Sequence, residues 1–191
     1  MVRTRRAVLA AITALAAVTA MLVSAEPSSA YTFIGCKWGG SFGASSSITY
    51  HFSSLSSTWV TAFNQGQYAW DTKPVPGTFV PTSSTTTMNL LVRDYSMDLD
   101  AYGTTFYSCS GGTFSNNQTM DFNSTAQLTG LSMSLVAMHE LGHSYGLGHA
   151  LNGCSDQHIG PAIMQPEATV NHKCGGSPPY ADDVNGVNAR Y

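Results

Sequence analysis

The spacing of apolar positions changes several times along this chain. Ile48-Thr49-Tyr50-His51-Phe52 alternates with β-branched and aromatic residues, the two-residue period of a strand. Trp59, Ala62, Phe63 and Trp70 then recur at helical intervals, which predicts an amphipathic helix from Trp59 to Trp70, closed by Pro74, Pro76 and Gly77. Thr78-Phe79-Val80 and Asn89-Leu90-Leu91-Val92 read as strands separated by a Ser/Thr-rich loop, and Thr104–Tyr107 and the region around Met120-Asp121-Phe122 as two more. From Leu131 to Leu147 the apolar residues Leu131, Leu135, Met138 and Tyr145 return to three- and four-residue steps or their multiple, so a second helix is expected there, with Thr129 or Ser132 as its N-cap. Beyond His149 the chain is irregular and rich in Gly, Pro and Asn until Ala181–Tyr191, which reads as a short closing helix. Strands first, helices interspersed and an irregular last third predict an α+β fold. Neither an internal repeat nor a linker divides it.

Residues 1–30 stand apart from this pattern. A basic start (MVRTRR), an apolar run of small residues and Ser28-Ser29-Ala30 make the three parts of a secretory signal peptide, with cleavage expected after Ala30 and Ala25 as the alternative. Thr4-Arg5-Arg6-Ala7-Val8-Leu9 also resembles a twin-arginine export signal, so either export route is open. Without Arg3, Arg5, Arg6 and Glu26, the eight basic and eleven acidic residues become five and ten. That acidic balance speaks against nucleic acid, which calls for a basic patch. Residues 31–191 are enough for one domain with its own core, expected to be monomeric, secreted and free of the membrane once the leader is cut. All four cysteines, Cys36, Cys109, Cys154 and Cys174, lie in that part, and in an exported protein they imply disulfides. Four cysteines allow three pairings; Cys36–Cys109 with Cys154–Cys174 is the expected one. A zinc cluster built from these cysteines is disfavoured, because no C-x-x-C spacing occurs.

The chemistry concentrates in MHELGHSYGLGH, residues 138–149. His139 and His143 are four apart on the predicted helix, so they emerge on one face with Cβ atoms about 6 Å apart. Two imidazole nitrogens so placed can meet one zinc ion at about 2.1 Å each. Gly146 can take a positive φ and end the helix in a sharp turn, which brings His149 back as a third ligand. Three protein ligands leave a fourth position for water, as catalytic rather than structural zinc sites do. Zinc would lower the pKa of that water and polarise a carbonyl, while Glu140, beside the first ligand, would take the proton and deliver it to the leaving amine. A His-rich helix that only packs is the alternative, but the extended pattern fixes five residues, which chance seldom supplies.

HELGHSYGLGH is the H-E-x-x-H-x-x-G-x-x-H signature of the metzincin metallopeptidases. Ala162-Ile163-Met164-Gln165-Pro166 resembles the methionine turn of that clan. Within the clan the chain is most similar to the matrixin (matrix metalloproteinase) catalytic domain. The similarity is carried by Lys37-Trp38, Ile48-Thr49-Tyr50, the helix ending at Trp70, Leu135-Val136-Ala137 and Asp182-Asp183-Val184-Asn185-Gly186-Val187, in matrixin order over essentially all of residues 31–191. The resemblance implies a twisted five-stranded mixed sheet with two long helices and an irregular C-terminal subdomain. It implies zinc on His139, His143 and His149, Glu140 as general base and Met164 as an apolar floor under the metal. Asp182 and Asp183 would tie the last helix to the methionine turn and the mature N-terminus. A peptide substrate would add to the edge strand holding Thr104–Tyr107. Departures from the matrixin pattern are Ala150 for the usual Ser and Gln165 for the usual Tyr, the latter also removing the extra tyrosine ligand of astacin-like relatives. The stretch from Tyr31 to Ile48 is too short for the matrixin cysteine-bearing propeptide, and no histidine between Asp94 and Asp121 could rebuild the matrixin structural zinc site. Cys36 as a latency thiol is the alternative to its disulfide.

Other polar residues are read more plainly. His51 lies in a strand pattern and is expected to be packed or at the surface; His158 and His172 flank the methionine turn. Asp94, Asp98, Asp100 and Asp121 could offer oxygens to calcium, but their spacing fits no calcium loop and a solvated acidic face is expected instead. Asn117-Gln118-Thr119 and Asn123-Ser124-Thr125 are glycosylation sequons only in a glycosylating host. The resulting expectation is a secreted zinc endopeptidase acting on protein or peptide. A non-enzymatic zinc-binding protein of the same fold and a zinc amidohydrolase with one specialised substrate are the rivals, and retention of Glu140 argues against the first. The segment from Glu167 to Tyr180 is expected to shape the specificity pocket.

Overall fold

The computed structural model describes residues 31–97, 101–115, 117–150, 162–166 and 178–191. Its centre is a mixed five-stranded sheet. The strands are β2 (Ser47–Phe52), β3 (Thr78–Pro81), β4 (Leu90–Tyr95), β5 (Gly103–Phe106) and β8 (Gln118–Asn123), in the order β3-β2-β4-β8-β5. The first three pairings are parallel; β5 runs antiparallel to β8 and forms one edge of the sheet. Parallel neighbours need crossover connections, and helix α1 (Ser57–Asp71) supplies the one between β2 and β3. Helix α2 (Gly130–Ser144) follows β8, and α3 (Ala181–Arg190) closes the chain.

The alternation read from the sequence is the alternation of burial. In β2, Ile48 and Tyr50 face the core while Ser47 is exposed, and in β4 the buried positions are Leu90 and Val92. Helix α1 buries Trp59, Ala62, Phe63 and Trp70, the residues that announced it, together with Gly66. Trp59 stacks on Phe122 of β8 with ring centroids 4.3 Å apart and planes 9° from parallel. Trp70 reaches across to α2 and donates its Nε1–H to the carbonyl of Met138 at 2.8 Å. The two long helices therefore meet through backbone as well as through apolar area.

Helix α2 departs from the amphipathic reading. Every residue from Met133 to Gly142 is buried, so the helix is embedded rather than surface-laid, and Leu131 at its start is exposed. Thr129 is its N-cap and accepts the Ser132 N–H. The helix also stops at Ser144, three residues before the predicted end.

Pairings too short to show a period complete the fold. β1 (Thr32–Phe33) lies antiparallel to β9 (Leu147–Gly148), and β6 (Cys109–Ser110) pairs with β7 (Thr113–Phe114). The Cys36–Cys109 disulfide joins the N-terminal segment to that small hairpin, so Cys36 holds no thiol for latency. Residues 1–30, Cys154, Cys174, His158, His172, Asp98, Asp100 and residues 167–177 lie outside the described residues.

Helices α1 and α2 come closest at Gly66, where an added Cβ would stand 2.9 Å from the Met138 nitrogen and 3.2 Å from the Ala137 carbonyl carbon. Backbone cannot yield as a side chain can. Gly66→Ala is expected to destabilise the fold by about 1–3 kcal/mol, read as a lower Tm; an unchanged Tm would contradict this close approach.

Candidate metal centre and its cleft

His139 and His143 leave the buried face of α2 one turn apart. Their ring centroids are 4.7 Å apart, and His149 approaches both, at 5.2 Å from His139 and 5.0 Å from His143. One ligand atom from each of the three lies within 4.8 Å of the other two. Gly146 makes this possible. It takes φ +92°, and a Cβ there would stand 2.6 Å from the Cys36 carbonyl oxygen. The turn therefore needs glycine for both its conformation and its contact.

The second ring nitrogen decides which atom is free for a metal. His139 Nδ1 is 2.8 Å from the Ile163 carbonyl, and His143 Nδ1 is 2.8 Å from the Leu147 carbonyl. A carbonyl only accepts, so each Nδ1 carries the proton and each Nε2 keeps its lone pair, as a ligand must. Burial reinforces this by disfavouring the imidazolium form. Desolvation first, and neighbouring histidines next, lower His139 to about 3; desolvation, with a smaller push from His149, lowers His143 to about 4. Burial lowers His149 as well. Three neutral imidazoles converging from a partly buried wall are a donor set that suits zinc. Among the described residues it is the one group of three or more His, Cys, Asp or Glu side chains so gathered.

Glu140 stands beside this set, itself buried. Desolvation raises its carboxyl to about 7, opposed by a hydrogen bond from the Thr105 hydroxyl. Glu140 and the three histidines line a cleft of about 730 Å³ together with Tyr102–Thr105 of the β5 region, Ile34, Val136 and Pro166. Among the described residues, Glu140 and the histidines are the only acidic or basic side chains that line it. The edge strand that holds Thr104 and Thr105 thus forms one wall of the cleft.

Met164 is 1% exposed, and its sulfur occupies the space that Gly142, between His139 and His143, leaves by having no side chain. Its carbonyl accepts the Ala150 N–H at 2.7 Å, directly after the third histidine. Asp183 of α3 accepts the Ile163 N–H at 2.9 Å, the Met164 N–H at 3.4 Å and the Tyr180 N–H at 2.8 Å, the tie to this turn that the resemblance implied. Tyr31 lies against Gly186 on the same helix.

A family model described as Matrixin matches residues 46–191. The chain belongs to the matrixin family. Among curated proteins no sequence matches it. Among solved structures, this matrixin resembles High choriolytic enzyme 1, a hatching-enzyme zinc protease of Oryzias latipes (medaka fish). That likeness has a TM-score of 0.50 and 16% identity, over 80% of this chain and 92% of the other. Myroilysin is similar at a TM-score of 0.44 and 22% identity, over 62% of this chain and 54% of its own. The mixed five-stranded sheet with its helices is the metzincin fold, and the family and the histidine cluster together make this a zinc metalloprotease.

The remaining polar residues go elsewhere. Asp121 is fully buried, not solvated, and is held by Arg93 at 2.6 Å and 3.1 Å and by the Tyr95 hydroxyl at 3.2 Å. Asp94 accepts from the Ser56 backbone and hydroxyl. Both carboxylates are thus engaged by protein donors. His51 Nδ1 meets the Thr82 carbonyl at 3.0 Å. Asn123 is buried and hydrogen-bonded to Thr125 and Ala101, so the second sequon is closed to a glycan. Sequence reasoning missed the part played by Thr32–Ile34. Thr32 Oγ1 donates to the His149 carbonyl at 2.7 Å, and the Ile34 N–H donates to Gly146 at 3.1 Å. Two-residue pairings leave no periodic signal to find.

Asp183→Ala should leave the Ile163 and Tyr180 N–H groups without their acceptor, costing about 1–3 kcal/mol for each buried donor. Thermal unfolding of the variant reads this directly, and a Tm equal to wild type would show that the carboxylate does not hold the turn.

Proposed function

We propose that this matrixin is an exported, monomeric zinc endopeptidase, with Glu140 as general base and His139, His143 and His149 as the zinc ligands. The observation that carries the reading is the convergence of three neutral imidazoles beside one buried carboxylate, all opening into a cleft under an edge strand. Zinc, when bound, would acidify a water and polarise a carbonyl. Glu140 would take the proton of the attacking water and pass it to the leaving amine. β5 offers its edge to an extended peptide through main-chain hydrogen bonds. Met164 underlies the histidines as packing, not as a ligand.

Export is supported by the leader pattern of residues 1–30 and by the Cys36–Cys109 disulfide. Among the described residues no helix is long and apolar enough to cross a membrane. Cys154 and Cys174 would form the second disulfide, in the segment next to the methionine turn.

The test is cleavage of a generic unfolded protein by the mature chain beside Glu140→Ala, with zinc content measured for both. Glu140→Ala should lose at least about 1,000-fold in kcat while keeping zinc at the wild-type level. Zinc loss in that variant would remove the base assignment, and an inactive but zinc-loaded wild type would remove the endopeptidase reading. Chelation should abolish activity and lower Tm, since a ligand of the native state stabilises it by mass action.

A further inference from the structure

The strand that roofs the cleft also holds the carboxylate beneath it. Thr105 Oγ1 lies 2.7 Å from Glu140 Oε2 and 3.2 Å from the Glu140 carbonyl oxygen. A hydroxyl has one proton to give, and the shorter, charge-assisted contact to the carboxylate is the stronger claim on it. Thr105 is 8% exposed and fixed by its register opposite Met120 of β8, so the donor sits on a rigid element.

Two residues earlier, on the same face of β5, Gly103 clears the space that Glu140 occupies. A Cβ at Gly103 would stand 3.0 Å from Glu140 Cγ, 3.1 Å from Oε1 and 3.0 Å from Val136 Cγ1. One carboxylate oxygen is therefore engaged by Thr105, while the other lies beside a residue that has no side chain and lines the cleft. Glutamate has three side-chain torsions, and orienting it at the buried wall of the cleft needs a fixed partner. Packing alone does not account for the threonine, since valine has the same shape and no donor.

We propose that Thr105 is a positioning residue for Glu140: its hydroxyl fixes Oε2 so that Oε1 is presented to the water that attacks the substrate. This rests on the assignment of Glu140 as general base. The distinction from a structural role is the hydroxyl itself, which Thr105→Val deletes at constant shape and Thr105→Ser retains.

The experiment measures kcat and KM on one quenched-fluorescence peptide cut by the wild-type mature chain, with zinc content and Tm determined for each variant. Thr105→Val should lower kcat roughly 10–100-fold, the loss typical of removing a supporting hydrogen bond in a metal site, with KM and zinc content unchanged. Thr105→Ser should recover most of kcat. Wild-type kcat in Thr105→Val, or Thr105→Ser as slow as Thr105→Val, overturns the proposal. Should Thr105→Val not fold, Thr105→Ser against Thr105→Ala applies the same criterion. A thermal-unfolding cycle over Thr105→Ala, Glu140→Ala and the double variant reads the contact without turnover. Coupling between the two residues is expected, and strictly additive Tm changes overturn the proposal whatever the activity. A zinc-loaded wild type that cuts nothing, with coupling present, sinks the endopeptidase reading alone and leaves the Thr105–Glu140 contact standing.

Discussion

Helix α2 carries two of the three histidines and must stop within a turn of the second if the third is to come back to them. Gly146, in the left-handed region at φ +92°, makes that stop, and the structure around it is occupied with securing the helix end. A terminating helix leaves carbonyls without partners. Trp38 Nε1 donates to the Ser144 carbonyl at 3.0 Å and the Tyr191 hydroxyl to the Tyr145 carbonyl at 2.8 Å, so residues from both ends of the described chain close this terminus. The N-terminal segment then crosses the turn, pairing Thr32 with Gly148 and Phe33 with Leu147. Its disulfide anchors it to the hairpin beyond β5. The third histidine is thus turned back by Gly146 and held there by the N-terminal segment and the turn around Met164.

The site gathers polar groups where burial disfavours their charged forms. Burial of Glu140, His139 and His143 is tolerated because each has a fixed partner: Thr105, the Ile163 carbonyl and the Leu147 carbonyl. Each partner comes from a different element or turn, so the orientation of the side chains is set by how the strand β5, the methionine turn and β9 pack on α2. Such preorganisation is what allows a site to act on a developing charge without rearranging at the moment of reaction. It also explains why an edge strand matters twice here, once for its open main-chain edge and once for what its inner face presents to the carboxylate.

The sequence revealed most of the sheet and helices because their periods are long enough to read. It over-extended α2 to Leu147, because apolar residues continue beyond the point where Gly146 ends the helix. It counted Leu131 among the inward positions, yet α2 is buried on nearly all sides and only its start reaches solvent. It expected Asp121 at a solvated face, where the fold instead buries it against Arg93 and Tyr95. A charged residue inside an alternating strand gives no sign of its partner, which lies 28 residues away on the neighbouring strand of the sheet.

What the sequence alone determined is the identity and spacing of the three histidines, since four residues along a helix and a glycine three further on are local geometry that any environment would respect. The core positions of β2, β4 and α1 follow for the same reason, because periodicity is a property of the backbone itself. What only the tertiary structure decided is which donor meets which acceptor. The partners of His139, Glu140 and His149 come from residues 24, 35 and 117 positions away, and no local pattern encodes a contact closed by folding over such separations.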